Sequence, residues 1–419
     1  VKSISIPKLN LKGLTFDVKV PSSKSLANRA LVLAALSKGE FSLKGDFEAE
    51  DIQLMIEALR KMGIGIEAKA GEGLLIKNDL SWMADEGDLE LFLGNSGTSI
   101  RFLTSLVLFR KGTTLLTGKD RMKERPIGDL VDALRQIGAH ITYLDKEGFP
   151  PLFVRGLENV SGGVIRMRGD VSSQFLTSVL LISSQFSSGL QVKVDGELIS
   201  KPYVEMTLEL MKSWGVHTQH DDRGYSALPQ LMIGQDFVIE GDASAATYWW
   251  ALSHLHDCVI NIQNVQNDSI QGDVHFKKVL NMLSNCTGPF EIDMNNMPDA
   301  SLTLMAVAPF HHDVVTITNI GSLRVKETDR IEAMATELRR VGVMVETGVD
   351  WVKVWPGEKE QTGDSKSISV HTYDDHRIAM SMAVLATKLG SIVILDPDCV
   401  KKSYPEFWNH LSRFTESEQ

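Results

Sequence analysis

Cysteine is scarce in this chain. Cys258, Cys286 and Cys399 are its only three in 419 residues. They stand far apart with no CxxC pair, which argues against a disulfide framework or a zinc site and fits a reducing cytoplasm. Positive charge is also short: 43 Lys and Arg face 54 Asp and Glu, for a net charge of −11. That balance argues against a general binder of nucleic acid or other polyanions. No apolar run reaches the roughly 18 residues of a membrane span. The opening residues Val1-Lys2-Ser3-Ile4 carry no signal- or transit-peptide pattern. The Gly-x-x-x-x-Gly-Lys spacing of a P-loop is missing too. What remains is a globular composition, 43% hydrophobic and 23% charged, with length for two or more domains. Any anion site must be a local concentration of Lys and Arg on an acidic background.

The chain repeats itself. A helical pattern ending in an apolar residue and Gly, then a β-like stretch, occurs at 51–66, 127–141, 204–216 and 331–343. Residues 274–283 read as a degenerate copy ending near Gly288. Gly just past the last helical turn is the expected C′ residue. The first three of these glycines (Gly63, Gly138, Gly215) lie roughly 75 residues apart, too far for a solenoid repeat. A duplicated α/β unit of alternating strands and helices is expected. The run 220–230 reads as polar and flexible, with a domain boundary after it near 235–241. The tract 357–366 reads as an exposed loop.

Several segments carry chemistry. Residues 323–330 (LRVKETDR) hold five charges and lead into a helical pattern. With Thr328 or Asp329 as N-cap, Lys326, Glu327 and Arg330 surround one helix N-terminus, an end that favours anions. A solvated charged turn is the plain alternative for that stretch alone. Pro21-Ser22-Ser23-Lys24-Ser25 starts another helix with Lys24 and Arg29 near its positive end. Gly94-Asn95-Ser96-Gly97-Thr98 lets backbone approach a ligand and supplies donors, with Arg101 a ligand or, preferably, a structural ion pair. Residues 119–126 (KDRMKERP) are dense in charge. Ser172-Ser173-Gln174, followed by Ser200-Lys201-Pro202-Tyr203, suits phosphate and sugar-like hydroxyls. In the second half, 240–246 (EGDASAA), Pro298-Asp299-Ala300, Asp374-Asp375-His376-Arg377 and 401–405 (KKSYP) continue the series. Asp299 is either an N-terminal helix acid or a catalytic base.

Taken in order, PSSKSLANRA, GNSGTSIRFLT, RMKERPIGDLVDALR, GDVSSQFLT, SKPY, EGDASAATY, PDASLT, LRVKETDRI, DDHRIAM and KKSYPEF resemble the enolpyruvyl transferases, in their shikimate branch, from Pro21 to Pro405. The resemblance implies an α/β fold of two similar lobes, each of three βαβαββ units in an inside-out α/β barrel. The active site would lie in the cleft between them. It implies lobes of 21–236 and of 1–20 with 237–419. It implies transfer of enolpyruvyl from phosphoenolpyruvate to the 5-hydroxyl of shikimate 3-phosphate, without metal or cofactor, in aromatic amino acid biosynthesis. A cytoplasmic, separately encoded monomer with no nucleic-acid or membrane partner is expected.

Carried over by motif, the phosphoenolpyruvate site is implied to be Lys24, Gly97, Arg125, Arg330, Arg377 and Lys402. The shikimate 3-phosphate site is implied to be Lys24, Ser25, Arg29, Ser172, Ser173, Gln174, Ser200, Asp299, Ser322 and Lys326, with Thr98 and Tyr203 nearby. Asp299 would be the general base, and Glu327 or Lys326 would protonate the donor's methylene carbon, with Lys24 and Lys402 among the cations on the leaving phosphate. Two positions depart from the pattern: Phe102 where the family often has Pro, and Ser322 where it often has Asn. Gly97 leaves room for a larger inhibitor, so glyphosate sensitivity is expected. The branch that uses UDP-N-acetylglucosamine usually has a reactive Cys in the loop matching 119–125, and this loop has none. A catalytically silent anion-binding protein on the same fold is the remaining alternative.

Overall fold

Among the described residues twelve α-helices punctuate the chain, and several of them start at a side-chain cap. In a computed structural model that describes residues 2–170, 172–221, 224–357 and 367–416, the chain divides into two units: 22–240, and 1–21 with 241–419. The first holds α1 (Lys24–Leu36), α2 (Glu50–Lys61), α3 (Gly97–Leu106), α4 (Gly128–Arg135), α5 (Ser173–Ile182) and α6 (Lys201–Ser213). The second holds α7 (Ala243–His256), α8 (Phe276–Asn285), α9 (Ser301–Val307), α10 (Arg330–Arg340), α11 (His376–Leu389) and α12 (Phe407–Glu416).

The βαβαββ order runs in full at three places. In one, strand Leu89–Phe92 lies parallel to Thr113–Thr117 across α3, and α4 leads to the antiparallel pair His140–Tyr143 and Leu152–Arg155. The same order recurs over 163–227 around α5 and α6, and over 290–354 around α9 and α10. The remaining sheets take strands from distant sequence. Ser37–Lys44 pairs with 232–233 and 237–238 in the first unit. In the second, Thr15–Val18 pairs with Val259–Ile262, and Ser3–Ile6 with Ile392–Leu395. The strands among the described residues form six separate sheets, and none closes into a barrel.

The repeated glycines have a common cause. Gly63 (φ +99°) and Gly342 (φ +89°) follow α2 and α10 in left-handed conformation. The next N–H reaches back to close the helix, Ile64 to Leu59 O at 3.1 Å and Val343 to Leu338 O at 3.0 Å. Gly138 and Gly215 do the same after α4 and α6. The degenerate copy ends differently: α8 stops at Cys286 in extended conformation (ψ 127°). Part of the run expected to be polar and flexible is paired strand instead, Thr218–Asp221 against Gly224–Ala227. Thr218–Asp221 is the edge strand of its sheet and largely exposed, which accounts for its polarity. In the tract 357–366, all but Gly357 lies outside the described residues.

Each unit has its own apolar core. In the first, the stripe Leu26 to Leu36 of α1 is buried throughout, so that helix is central. In the second, Trp249 of α7 is fully buried, stacked on Phe414 (centroids 5.3 Å) and donating its indole N–H to the Tyr404 hydroxyl at 3.1 Å. Among the described residues no helix is long and apolar enough to cross a membrane. Trp249→Ala should destabilise the second unit by about 3–5 kcal/mol, read from urea unfolding. A loss below about 1 kcal/mol would contradict this packing.

Candidate active site

In the first unit the N-termini of α1, α2, α3 and α5 meet. Ser23 caps α1, its side chain accepting from the Leu26 N–H. Lys24, in the first turn, is paired with the buried Asp51 of α2 at 2.9 Å. Ser99 of α3 donates its hydroxyl to Asp51 O at 3.4 Å. Gln174 of α5 donates to the Thr98 hydroxyl at 3.3 Å and accepts from Arg101 Nη1 at 2.5 Å. The positive ends of several helix dipoles thus share one neighbourhood, a setting that favours anions.

The cations in that neighbourhood are held from behind. Arg125 is buried, its Nη1 donating to Asn95 O (3.0 Å) and Asn95 Oδ1 (3.2 Å). The guanidinium lies against Gly97, where a Cβ would come within 2.6 Å of Arg125 Cζ. Absence of a side chain, not backbone freedom, explains glycine there. Arg101 donates to Gln174 and to Pro126 O (3.3 Å) and stacks over Phe175, the structural role preferred for it. Arg29 is buried at 2% exposure. It donates to Thr207, Ser25 O, Tyr203 O and Thr177, and lies over the Phe102 ring at 5.5 Å. Burial lowers it to about 10. Phe102, in place of the family's usual Pro, therefore supplies an aromatic face to a buried cation. Ser25 and Ser172 are half-buried, Ser173 and Ser200 buried. Ser172 caps α5, and Ile199 N–H bonds Gly169 O at 3.1 Å, bringing the segments of Ser172 and Ser200 side by side.

The second unit carries a denser group. Asp329 is the N-cap of α10, accepting from Glu332 N at 3.1 Å, which places Arg330 at the first helical position. Arg330 is 2% exposed and touches three carboxylates: Asp299 (2.9 Å), Glu327 (2.8 Å) and Asp375 (2.7 Å). Asp299, in the turn before α9, also meets Lys326 at 3.5 Å and Arg377 at 3.3 Å. Lys402 lies 3.6 Å from Glu327. Asp375 caps α11 by accepting from Arg377 N at 2.9 Å. Four cations (Lys326, Arg330, Arg377, Lys402) are thus interleaved with the carboxylates of Asp299, Glu327 and Asp375. Burial pushes the Asp299 carboxyl up, but Arg377, Lys326 and Arg330 together outweigh it and hold it well below the usual range. Burial likewise lowers Arg330, and Asp375, Glu327 and Asp299 raise it above the ordinary arginine value. Ser322 sits half-buried in the turn Gly321–Val325 that precedes Lys326.

The structure gathers the expected residues into these two groups. Lys24, Ser25, Arg29, Gly97, Arg125, Ser172, Ser173, Gln174 and Ser200 belong to the first unit, and Asp299, Ser322, Lys326, Glu327, Arg330, Arg377 and Lys402 to the second. Two acids, Asp51 and Asp273, escape a sequence reading, which singles out Asp375 only as part of its segment, with no role. Burial pushes Asp273 up to about 6, against the Ser244 hydroxyl bond and Arg377. For Asp375, the N-cap position ahead of an apolar helix was the available signal.

The fold matches solved structures along its whole length. EPSP synthase from Acinetobacter baumannii aligns with a TM-score of 0.78 at 22% identity, covering 99% of this chain and 98% of that one. The enolpyruvyl transferase NikO from Streptomyces tendae aligns at 0.73 and 14% identity, covering 98% of each. The fold is therefore that of the enolpyruvyl transferases. Sequence narrows it further. Residues 10–411 match the EPSP synthase (3-phosphoshikimate 1-carboxyvinyltransferase) family. A 3-phosphoshikimate 1-carboxyvinyltransferase from Photorhabdus laumondii is 38% identical over 418 residues, 95% of this chain and 96% of the relative. One from Cellvibrio japonicus is 40% identical over 420 residues, 94% and 96%. The chain belongs to the EPSP synthase family.

Gly97→Ala should move the Arg125 guanidinium out of hydrogen-bond reach of Asn95, visible in a crystal structure, and cost about 1 kcal/mol in stability. An unmoved Arg125 would contradict this account of Gly97.

Proposed function

We propose that this chain transfers the enolpyruvyl group of phosphoenolpyruvate to the 5-hydroxyl of shikimate 3-phosphate, releasing phosphate. The observation that carries the reading is the pairing of Asp299 with Arg330, Arg377 and Lys326 beside Glu327 and Lys402. Two phosphates and two carboxylates must be neutralised together, and the two cation groups supply that charge. Arg330 and Arg377 suit the planar carboxylate of the donor and Lys402 its phosphate, and by motif Arg125 and Lys24 of the first unit are assigned to the same substrate. Ser25, Arg29, Ser172, Ser173, Gln174, Ser200, Ser322 and Lys326 serve the acceptor.

The cations around Asp299 hold its carboxyl below the usual range and so weaken it as a base. The donor's carboxylate competes for Arg330 and Arg377 and so restores proton affinity to Asp299 only when substrate is present. Asp299 then takes the 5-hydroxyl proton. The oxygen attacks the donor's substituted carbon while Glu327 or Lys326 protonates its methylene, giving a tetrahedral intermediate. Return of a methyl proton to the protein re-forms the double bond and expels phosphate, whose developing charge Lys24, Lys402 and the arginines stabilise. Catalysis needs these contacts to be stronger in the transition state than before it. A monomeric enzyme working on these two small molecules, in lobes bounded near 21–236, is part of the same reading.

Asp299→Ala should lower kcat roughly 10²- to 10⁴-fold while the KM values move little, measured as phosphate release from phosphoenolpyruvate with shikimate 3-phosphate. A near-normal rate would remove Asp299 from the base role. Release with UDP-N-acetylglucosamine in place of shikimate 3-phosphate would overturn the acceptor.

A further inference from the structure

Glu337 is a fully buried carboxylate with no place in the chemistry above. It follows Arg330 by seven residues on α10, two turns, so both project from one face. Its Oε1 accepts from the Tyr373 hydroxyl at 2.6 Å. Its Oε2 accepts from the His371 N–H at 3.1 Å and from Arg340 Nε at 2.9 Å. Two turns earlier, Arg330 donates to Asp375 from Nε (2.7 Å) and Nη2 (3.3 Å). One face of α10 thus grips the segment 371–375 at both ends.

The gripped segment is an unusual turn. Tyr373 (φ +57°) and Asp374 (φ +55°) are consecutive non-glycine residues in left-handed conformation. Such backbone persists only where its surroundings over-determine it. The turn joins strand Ile368–Val370 to α11, and its shape decides where Asp375, the N-cap, and Arg377 emerge. Asp375 N–H closes it onto Thr372 O at 2.9 Å. A plain buried ion pair would explain Glu337 and Arg340 alone. That pair lies within one helix, with Arg340 40% exposed, whereas both donors from outside the helix belong to the turn that leads to Arg377.

We infer that Glu337 and Tyr373 are positioning residues: a latch from α10 that holds the 371–375 turn and so places Arg377 for the anionic donor. The inference rests on the reaction proposed above. Neither residue touches a reacting atom in that scheme.

The test is Tyr373→Phe in the full chain, which removes one hydroxyl from a part-exposed ring, with Glu337→Gln as a second variant. In phosphate-release kinetics, KM for phosphoenolpyruvate should rise roughly tenfold in Tyr373→Phe while KM for shikimate 3-phosphate stays within about twofold. The double variant should be no worse than the worse single, because both break one latch. Unchanged donor KM, or equal change in both KM values with a lowered melting point, would overturn the inference. If the parent protein shows no turnover at all, the proposed reaction fails, and the crystal structure of Tyr373→Phe decides the latch on its own. Displacement of Arg377 from its 3.3 Å contact with Asp299 supports it, and an unmoved Arg377 overturns it.

Discussion

Arg330, buried among Asp299, Glu327 and Asp375, is the interaction on which the second unit's chemistry depends. It ties the turn before α9, the start of α10 and the cap of α11 into one object. Burying these charges is costly, and only close, hydrogen-bonded pairing offsets it. Removing one partner would strand a buried charge at a cost of about 3–5 kcal/mol. Stability and chemistry are therefore coupled here: the contacts that hold the fold together are those a bound anion must compete for.

That competition gives the resting protein its character. Asp299 is held acidic by cations, and those same cations are what an incoming carboxylate or phosphate meets. The first unit reaches a similar end by another route. There, helix N-termini supply partial positive charge, and Asp51 and Asn95 hold Lys24 and Arg125 in place. Both devices concentrate positive potential locally in a chain whose net charge is −11.

What the sequence could reveal follows from range. Ser23, Ser172 and Asp329 were legible as helix starts because capping is local, and Gly63 and Gly342 because a left-handed residue past a helix is local as well. The partner acids were not: Asp51 is 27 residues from Lys24 and Asp375 is 45 from Arg330. Nothing in either segment says which cation it will meet. Arg29 read as a cation near a helix start, and its contacts with Thr207, Tyr203 O, Ser25 O and Phe102 come mostly from segments too distant for the sequence to name. The strand pairing at 218–227 read as a polar, flexible run because an edge strand such as Thr218–Asp221 lacks the apolar alternation that would betray it.

The most direct test of the central claim is the titration of Asp299 itself, followed by carbon NMR with labelled aspartate between about pH 4 and 8. Spectra would be compared for free protein and for protein saturated with shikimate 3-phosphate and an unreactive carboxylate analogue of phosphoenolpyruvate. Asp299→Asn would assign the signal. The account predicts no titration of Asp299 across that range in the free protein and a step entering it in the complex. Titration already present in the free protein, or a complex that leaves the signal flat, would contradict it.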